Sequence, residues 1–197
     1  MSGGEKTKGS GPGRRALLGG AAALWSAFAP AIVRAQQPAP RRRQSAEPAL
    51  PPVVFVHGNG DSSALWINTL WRFEANGYRR NQLFAIDFDN PSARRNDAKP
   101  EPFRSSTEDQ MRELAAFVAE VRKATRRRRV ALVASSRGGN AVRNYLKNGG
   151  GAEFTSHAVL CGTPNKGIVI SDSVLVGSEF NGAAPFLKGL NAGPDDL

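Results

Sequence analysis

A serine followed closely by two glycines is the part of the sequence best suited to covalent chemistry. The segment ASSRGG (134–139) comes directly after the apolar run 130–134 and before a helical pattern. This order of strand, tight turn and helix, with small residues two before and two after the serine, is typical of a nucleophile elbow. The strained turn exposes a serine hydroxyl, which can attack a carbonyl carbon. Ser136 is therefore the candidate nucleophile.

Two other interpretations fit parts of this segment. If Ser135 were the nucleophile, Val133 and Arg137 would occupy the positions at which the strand and helix need small side chains, so Ser136 is preferred. The segment could also be an ordinary glycine-rich turn between a strand and a helix, without a catalytic role. The motif alone does not separate an elbow from such a turn, so the assignment depends on a second motif.

The second motif is the turn HGNG (57–60), which follows the apolar run 53–56. In α/β-hydrolases the loop after such a strand supplies one backbone donor of the oxyanion hole, and the residue after the nucleophile supplies the other. By position, these donors are the backbone N–H groups of Asn59 and Arg137. We interpret His57 as a structural residue that holds the loop, because the base of this fold comes late in the chain.

Apolar runs and helical patterns alternate along residues 51–197. Strands are predicted at 53–56, 83–88, 130–134 and 157–161. Helices are predicted at 62–75, from Ser106 or Thr107 onward, and between the elbow and Gly149-Gly150. This alternation predicts an α/β-hydrolase fold with a mostly parallel sheet and helices on both faces. Both motifs then lie at the carboxyl ends of strands, where open α/β sheets bind ligands.

The chain resembles the small bacterial lipases of the lipase class 2 type. The resemblance covers about residues 52–167 and rests on VVFVHGNG, LFAIDF, VALVASSRGGNAVRNYL and HAVLCGTPNKG. It implies an ester or lipid substrate, hydrolysed through an acyl-enzyme on Ser136 without a metal or an organic cofactor. A related acyltransferase or thioesterase would carry the same elbow. A non-catalytic binding or scaffold protein with a degenerate hydrolase fold is the alternative from a different class.

The catalytic acid and histidine that the resemblance implies are not found in this chain. The family places them after later strands, whereas no histidine follows Gly167. His157 begins its predicted strand and Ser136 follows the end of another, so parallel pairing separates them by roughly 13 Å. We therefore expect residues 51–197 to be the N-terminal portion of a hydrolase domain, truncated before its last strands and with little activity alone.

The first 35 residues resemble an export signal. Arg14-Arg15 precede the apolar run 16–33, and Val33-Arg34-Ala35 resembles a cleavage site, which is typical of a signal peptide of the twin-arginine type. The alternative is a membrane anchor, but the run is short and is interrupted by glycines and Pro30. We predict a signal over 1–35, a flexible linker over 36–50, and an exported protein that contacts the membrane transiently during export.

The charge and cysteine content restrict the partners and the redox chemistry. The formal net charge is +10, but the arginine runs 41–43 and 126–129 are separated and have no aromatic residues between them. They are interpreted as solvated surface, so no nucleic-acid partner is expected. The single cysteine, Cys161, cannot form an intramolecular disulfide. It is predicted to be a buried structural thiol.

Overall fold

The computed structural model describes residues 50–168 and 173–193, which lie in the compact unit 46–197. The predicted signal and nearly all of the predicted linker lie outside the described residues. Within the described residues, parallel strands form a single sheet in the order β2-β1-β3-β4. The strands are β1 (Val53–Val56), β2 (Leu83–Ala85), β3 (Val130–Ser135) and β4 (Thr155–Cys161). The α-helices are α1 (Ile67–Ala75), α2 (Thr107–Thr125), α3 (Arg137–Asn148) and α4 (Pro185–Leu190). Short 3-10 helices lie at Ser63–Trp66, Arg80–Gln82 and Gly151–Phe154.

The sheet is covered by helices on both faces, as the sequence predicts. Alternate residues of a strand point to opposite faces, and β1 is buried on both. On one face, Val54 and Val56 pack in a core formed with helices α2 and α3. On the other face, Val53 and Phe55 pack against side chains of α1 and of the 3-10 helix before it, including Trp66 and Leu70. The continuous apolar run of β1 is therefore explained by burial on both sides.

Helix α2 begins with the predicted capping box. The Ser106 side chain accepts a hydrogen bond from the Asp109 N–H, and the Asp109 side chain accepts one from the Ser106 N–H. Burial opposes ionisation of Asp109, but these hydrogen bonds with Ser106 and the charge of Arg94 lower its pKa below the usual value. Among the described helices, none is long and apolar enough to cross a membrane.

Strand β4 lies at the edge of the described sheet, and both its first residue and its burial differ from the prediction. The strand starts at Thr155 rather than His157, and most of its residues are exposed. Val159 is 52% exposed, and Cys161 is exposed as well. The prediction of a buried thiol is therefore wrong: a strand with apolar residues is buried on both faces only when neighbouring elements cover it.

Candidate active site

Ser136 occupies the strained turn between β3 and α3. Its backbone has φ 52° and ψ −123°, a positive φ that residues other than glycine seldom adopt. Such a conformation costs about 1–3 kcal/mol and persists only where the surroundings hold it. The Ser136 N–H donates to the carbonyl oxygen of Cys161 at 2.8 Å, which ties the turn to the end of β4. The residue itself is exposed, so the turn presents its side chain at the surface.

The small residues around Ser136 are required by a close approach of strand and helix. A Cβ atom at Gly138 would lie 2.5 Å from the carbonyl oxygen of His57 and 2.6 Å from that of Val56. These are backbone atoms of β1 and its following loop, so they cannot move aside cheaply. Ala134, two residues before the serine, is completely buried. The sequence pattern around the elbow therefore has a steric cause.

The structure brings the HGNG loop and Ser136 together. A Cβ atom at Gly58 would lie 3.1 Å from Cβ of Ser136 and 3.7 Å from its Oγ. Two hydrogen bonds fix the loop: the Ala93 N–H donates to Oδ1 of Asn59 at 2.7 Å, and the Gly60 N–H donates to the carbonyl oxygen of Pro91 at 3.0 Å. Gly58, the residue before Asn59, thus lies so close to the candidate nucleophile that a side chain at this position would meet it.

Arg137 is the first residue of helix α3. The N–H groups in the first turn of a helix have no partner within the helix, and the helix dipole favours negative charge there. The Arg137 N–H therefore belongs to the group of donors that can hold an oxyanion. The other predicted donor, Asn59, lies in a loop held by side-chain and backbone hydrogen bonds, so both predicted donors belong to well-anchored segments.

His57 has the structural role that the sequence predicts. It is buried, its Nδ1 bonds to the carbonyl oxygen of Gly58 at 2.9 Å, and its Nε2 accepts from the Phe88 N–H at 3.3 Å. Because Nε2 accepts from the Phe88 N–H, Nδ1 is the ring nitrogen that donates to the Gly58 carbonyl. Its ring also stands edge-on to Phe88, with centroids 5.1 Å apart. Both ring nitrogens are therefore occupied, and His57 is not available as a base for Ser136.

His157 lies at the opposite end of the sheet from Ser136. It pairs with Ala131 near the start of β3, whereas Ser135, the residue before Ser136, pairs with Cys161 at the end of β4. The register therefore confirms the separation that parallel pairing predicts. These are the 2 histidines of the sequence, and neither is placed to accept the Ser136 proton.

Asp87 supports the segment that follows the HGNG loop. Its carboxylate accepts the Ser63 N–H at 2.6 Å and the Ser63 hydroxyl at 2.7 Å. The Ser63 N–H, followed by its hydroxyl, lowers the pKa of Asp87 below its ordinary value. Since Ser63 begins a 3-10 helix, Asp87 caps that helix.

A buried ion pair behind the elbow is the main feature that the sequence does not reveal. The Arg137 side chain is completely buried, and its partner Glu179 is 1% exposed. The guanidinium makes five hydrogen bonds. Two of them go to Glu179: Nε and Nη2 each donate to one of its carboxylate oxygens at 2.9 Å. Nη1 donates to the Pro91 carbonyl at 2.9 Å and to Ser105 Oγ at 3.0 Å, and the second N–H of Nη2 donates to the Ser105 carbonyl at 2.8 Å. Since a guanidinium has five N–H donors, every donor has a partner.

Burial dominates the electrostatics of Glu179. It raises the pKa of the carboxyl above its ordinary value, and the adjacent charge and hydrogen bonds of Arg137 oppose that rise. The charge of Asp97 adds to the rise. The segment that carries Glu179 also bonds to the loop after β2, because the Asp97 N–H donates to the carbonyl of Gly177 at 2.8 Å. The carboxylate is thus held in a buried, well-bonded position directly behind the elbow.

Comparisons with known proteins agree with this geometry. The sequence model of the family described as Lipase (class 2) matches residues 51–171. The lipase BlEst2 of Bacillus licheniformis is similar in its propeptide form, with 28% identity over 64% of this chain and 25% of that chain, and a TM-score of 0.50. Its mature form is 25% identical over 73% of this chain and 58% of that chain, with a TM-score of 0.52. No curated protein matches the chain.

The comparisons fix both the fold and the family. The parallel sheet, its flanking helices and the similarity to these lipase structures show an α/β-hydrolase fold. The chain spans about a quarter of the propeptide form and 58% of the mature form that it matches. Because the family model covers more than half of its residues, including the elbow and the HGNG loop, the chain belongs to the lipase class 2 family.

Proposed function

We propose that this protein hydrolyses carboxylic esters, as a lipase or esterase, through an acyl-enzyme on Ser136. The observation that carries the proposal is the strained, exposed turn at Ser136 in contact with the HGNG loop. Ser136 Oγ attacks the ester carbonyl carbon, and the N–H groups of Asn59 and Arg137 stabilise the oxyanion that forms. The alcohol then leaves with a proton, and water attacks the acyl-enzyme to release the acid and free Ser136.

The proposal concerns the nucleophile and the oxyanion donors. A general base must come within hydrogen-bond reach of Ser136 Oγ, and His57 and His157 do not. The chain spans 58% of the mature Bacillus lipase that it matches. The test is therefore made on the full-length gene product. We further propose export by the twin-arginine route, on the strength of Arg14-Arg15 and the apolar run after them.

A fluorophosphonate probe tests the proposal, because it reacts with activated serines. We expect the full-length protein to be labelled on the peptide that contains Ser136. Ser136→Ala removes the label and lowers hydrolysis of p-nitrophenyl butyrate by at least about 10³-fold, as for other nucleophile replacements. Ser135→Ala is the matched control. It keeps both the labelling by the probe and the hydrolysis of p-nitrophenyl butyrate, since the Ser135 hydroxyl is not the attacking group.

The outcomes separate the classes of function. Unchanged hydrolysis in Ser136→Ala, or a label on another serine, contradicts the assignment of the nucleophile. A folded full-length protein that neither reacts with the probe nor hydrolyses esters contradicts the enzyme proposal and favours the non-catalytic binding or scaffold protein. Labelling with little hydrolysis but rapid acyl transfer to an added alcohol or thiol favours an acyltransferase, and turnover of acyl thioesters in preference to oxygen esters favours a thioesterase.

A further inference from the structure

We propose that the buried ion pair of Arg137 and Glu179 is a positioning device that sets the geometry of the oxyanion hole. This inference rests on the proposed function, because it assigns the two residues a role in the same reaction. Neither side chain touches the reacting atoms, so both are positioning residues. The inference follows from three features: the fixed guanidinium, a shared carbonyl acceptor, and the buried carboxylate.

The first feature is that Arg137 combines the oxyanion donor and its anchor in one residue. Its backbone N–H is the proposed donor, while its guanidinium is held by five hydrogen bonds with lengths between 2.8 and 3.0 Å. A planar guanidinium with all five donors paired has a fixed position and orientation. Fixing the end of the side chain restrains the peptide group that precedes it, next to the strained Ser136.

The second feature is that one carbonyl links the two halves of the oxyanion hole. The carbonyl oxygen of Pro91 accepts from Nη1 of Arg137 at 2.9 Å and from the Gly60 N–H at 3.0 Å. Two residues later, the Ala93 N–H donates to Oδ1 of Asn59 at 2.7 Å. The segment 91–93 therefore holds both the loop with the Asn59 N–H and the side chain of the residue with the Arg137 N–H, which sets the spacing between the two donors.

The third feature is the bidentate contact with Glu179. Parallel N–H···O bonds from Nε and Nη2 fix the guanidinium in its plane, an arrangement that a lysine cannot reproduce. The carboxylate also compensates a charge that would otherwise be buried without a counterion. Removal of the Glu179 charge would favour movement of the guanidinium towards solvent, and the Arg137 peptide would lose its restraint.

The consequence is an effect on the transition state rather than on substrate binding. Oxyanion donors act only when they lie 2.7–3.1 Å from the developing charge, and a misplacement of about 1 Å can cost about 10²-fold in rate. An interaction made only in the transition state changes kcat and leaves KM unchanged. Loss of the positioning device therefore lowers kcat and, in parallel, the affinity for an analogue that mimics the tetrahedral intermediate.

The experiment uses Arg137→Lys and Glu179→Gln in the full-length protein, which keep the size of each side chain but disrupt the five-bond arrangement. The matched control is the exposed pair of Arg112 and Glu108 on α2, with side chains 69% and 52% exposed, changed to Lys and Gln. We expect kcat for p-nitrophenyl butyrate to fall about 10- to 100-fold, with KM within about twofold. Affinity for an alkylboronic acid is expected to fall by the same factor, and the control pair to stay within about twofold.

Each outcome decides the inference. A folded Arg137→Lys protein whose kcat stays within twofold, or in which only KM changes, overturns it. If Arg137→Lys and Glu179→Gln fail to fold, Ser105→Ala takes their place, because it removes a single acceptor of the guanidinium. Ser105→Ala must then lower kcat without loss of the fold, and unchanged kcat overturns the inference.

The failure of the inference and the failure of the proposed function give different results. If the unaltered full-length protein is labelled on Ser136 and the Arg137 and Glu179 variants retain their rates, only the positioning role is overturned. If the unaltered protein is not labelled on Ser136 and does not hydrolyse esters, the proposed function and the positioning role are both overturned.

Discussion

Arginine side chains at the two ends of the sheet have opposite surroundings. At the carboxyl ends of the strands, Arg137 is completely buried and makes five hydrogen bonds. At the amino ends, the run 126–129 is exposed between α2 and β3. Within that run, Arg128 lies 3.3 Å from Glu153, and the two side chains are 70% and 61% exposed. The same residue type thus organises the protein interior at one end and faces solvent at the other.

The difference shows that burial, rather than the number of charges, indicates where arginine matters to the site. A buried guanidinium must find acceptors for all its donors, so it brings together the elbow, the loop that holds Ser105, and the segment of Glu179. An exposed arginine that pairs with a carboxylate gives up hydrogen bonds to water in doing so, and the pair therefore adds little to the stability of the fold. The net charge of +10 therefore carries little information about the site. Only the burial of Arg137 shows that this arginine belongs to the region behind the candidate nucleophile.

Removal of one partner of the buried pair is expected to have the largest effect on stability. Glu179→Leu leaves a buried guanidinium that cannot lose its proton, and we expect the free energy of unfolding to fall by about 3–5 kcal/mol. Arg137→Met leaves Glu179, which can take up a proton instead. Urea unfolding of the full-length protein at pH 5 and pH 8, each compared with the unaltered protein at the same pH, measures both effects.

The pH dependence distinguishes the two variants. Burial raises the folded-state pKa of Glu179 above its unfolded value, and loss of Arg137 raises it further. A carboxyl with a raised folded pKa favours folding while it is protonated, and this contribution is lost as pH rises through that pKa. Arg137→Met should therefore lose less stability at pH 5 than at pH 8, whereas Glu179→Leu, which removes the titrating carboxyl itself, should lose no less at pH 5 than at pH 8. If the free energy of unfolding falls by less than about 1 kcal/mol in both variants, the buried pair contributes no more to stability than an exposed pair does.

A smaller effect is expected from a change that crowds the elbow without touching a charge. Gly138→Ala places a methyl group 2.5 Å from the His57 carbonyl oxygen, so strand or helix must shift. We expect a loss of about 1–3 kcal/mol in the free energy of unfolding, as for other overpacked sites. Gly189→Ala in α4 is the matched control, because a Cβ atom there meets nothing within 4 Å. Equal stability of the two variants would show that the close approach at the elbow is not tightly constrained.

Local patterns in the sequence predict the fold and much of the candidate site. Alternation of apolar runs with helical patterns gives the parallel sheet, and the order of small residues around Ser136 gives the strained turn. Both features depend on residues close together in the chain, where sterics and periodicity act directly. The structural role of His57 follows similarly, because both of its hydrogen-bond partners are nearby: Gly58 is the next residue in the chain, and Phe88 follows the neighbouring strand β2.

Features that depend on distant pairing are not visible in the sequence. Glu179 is 42 residues from Arg137 and has no motif around it, so nothing marks it as the counterion. One indirect signal exists: the elbow directs residue 137 into the protein, and a buried arginine requires a carboxylate. The predicted burial of Cys161 is wrong for a related reason, since strand order rather than strand composition decides which strand lies at an edge of the described sheet.

The smallest expected effect lies at the amino ends of the strands and provides the reference for the buried pair. Arg128→Ala removes an exposed contact with Glu153, and we expect a change within about 0.5 kcal/mol in the free energy of unfolding. The partner's side chain stays solvated after the change, so no charge is left uncompensated in the interior. Urea unfolding at low and at moderate salt measures the effect, which should shrink as salt screens the pair. A loss of several kcal/mol at this position would contradict the difference between buried and exposed arginines, because both would then contribute alike to stability.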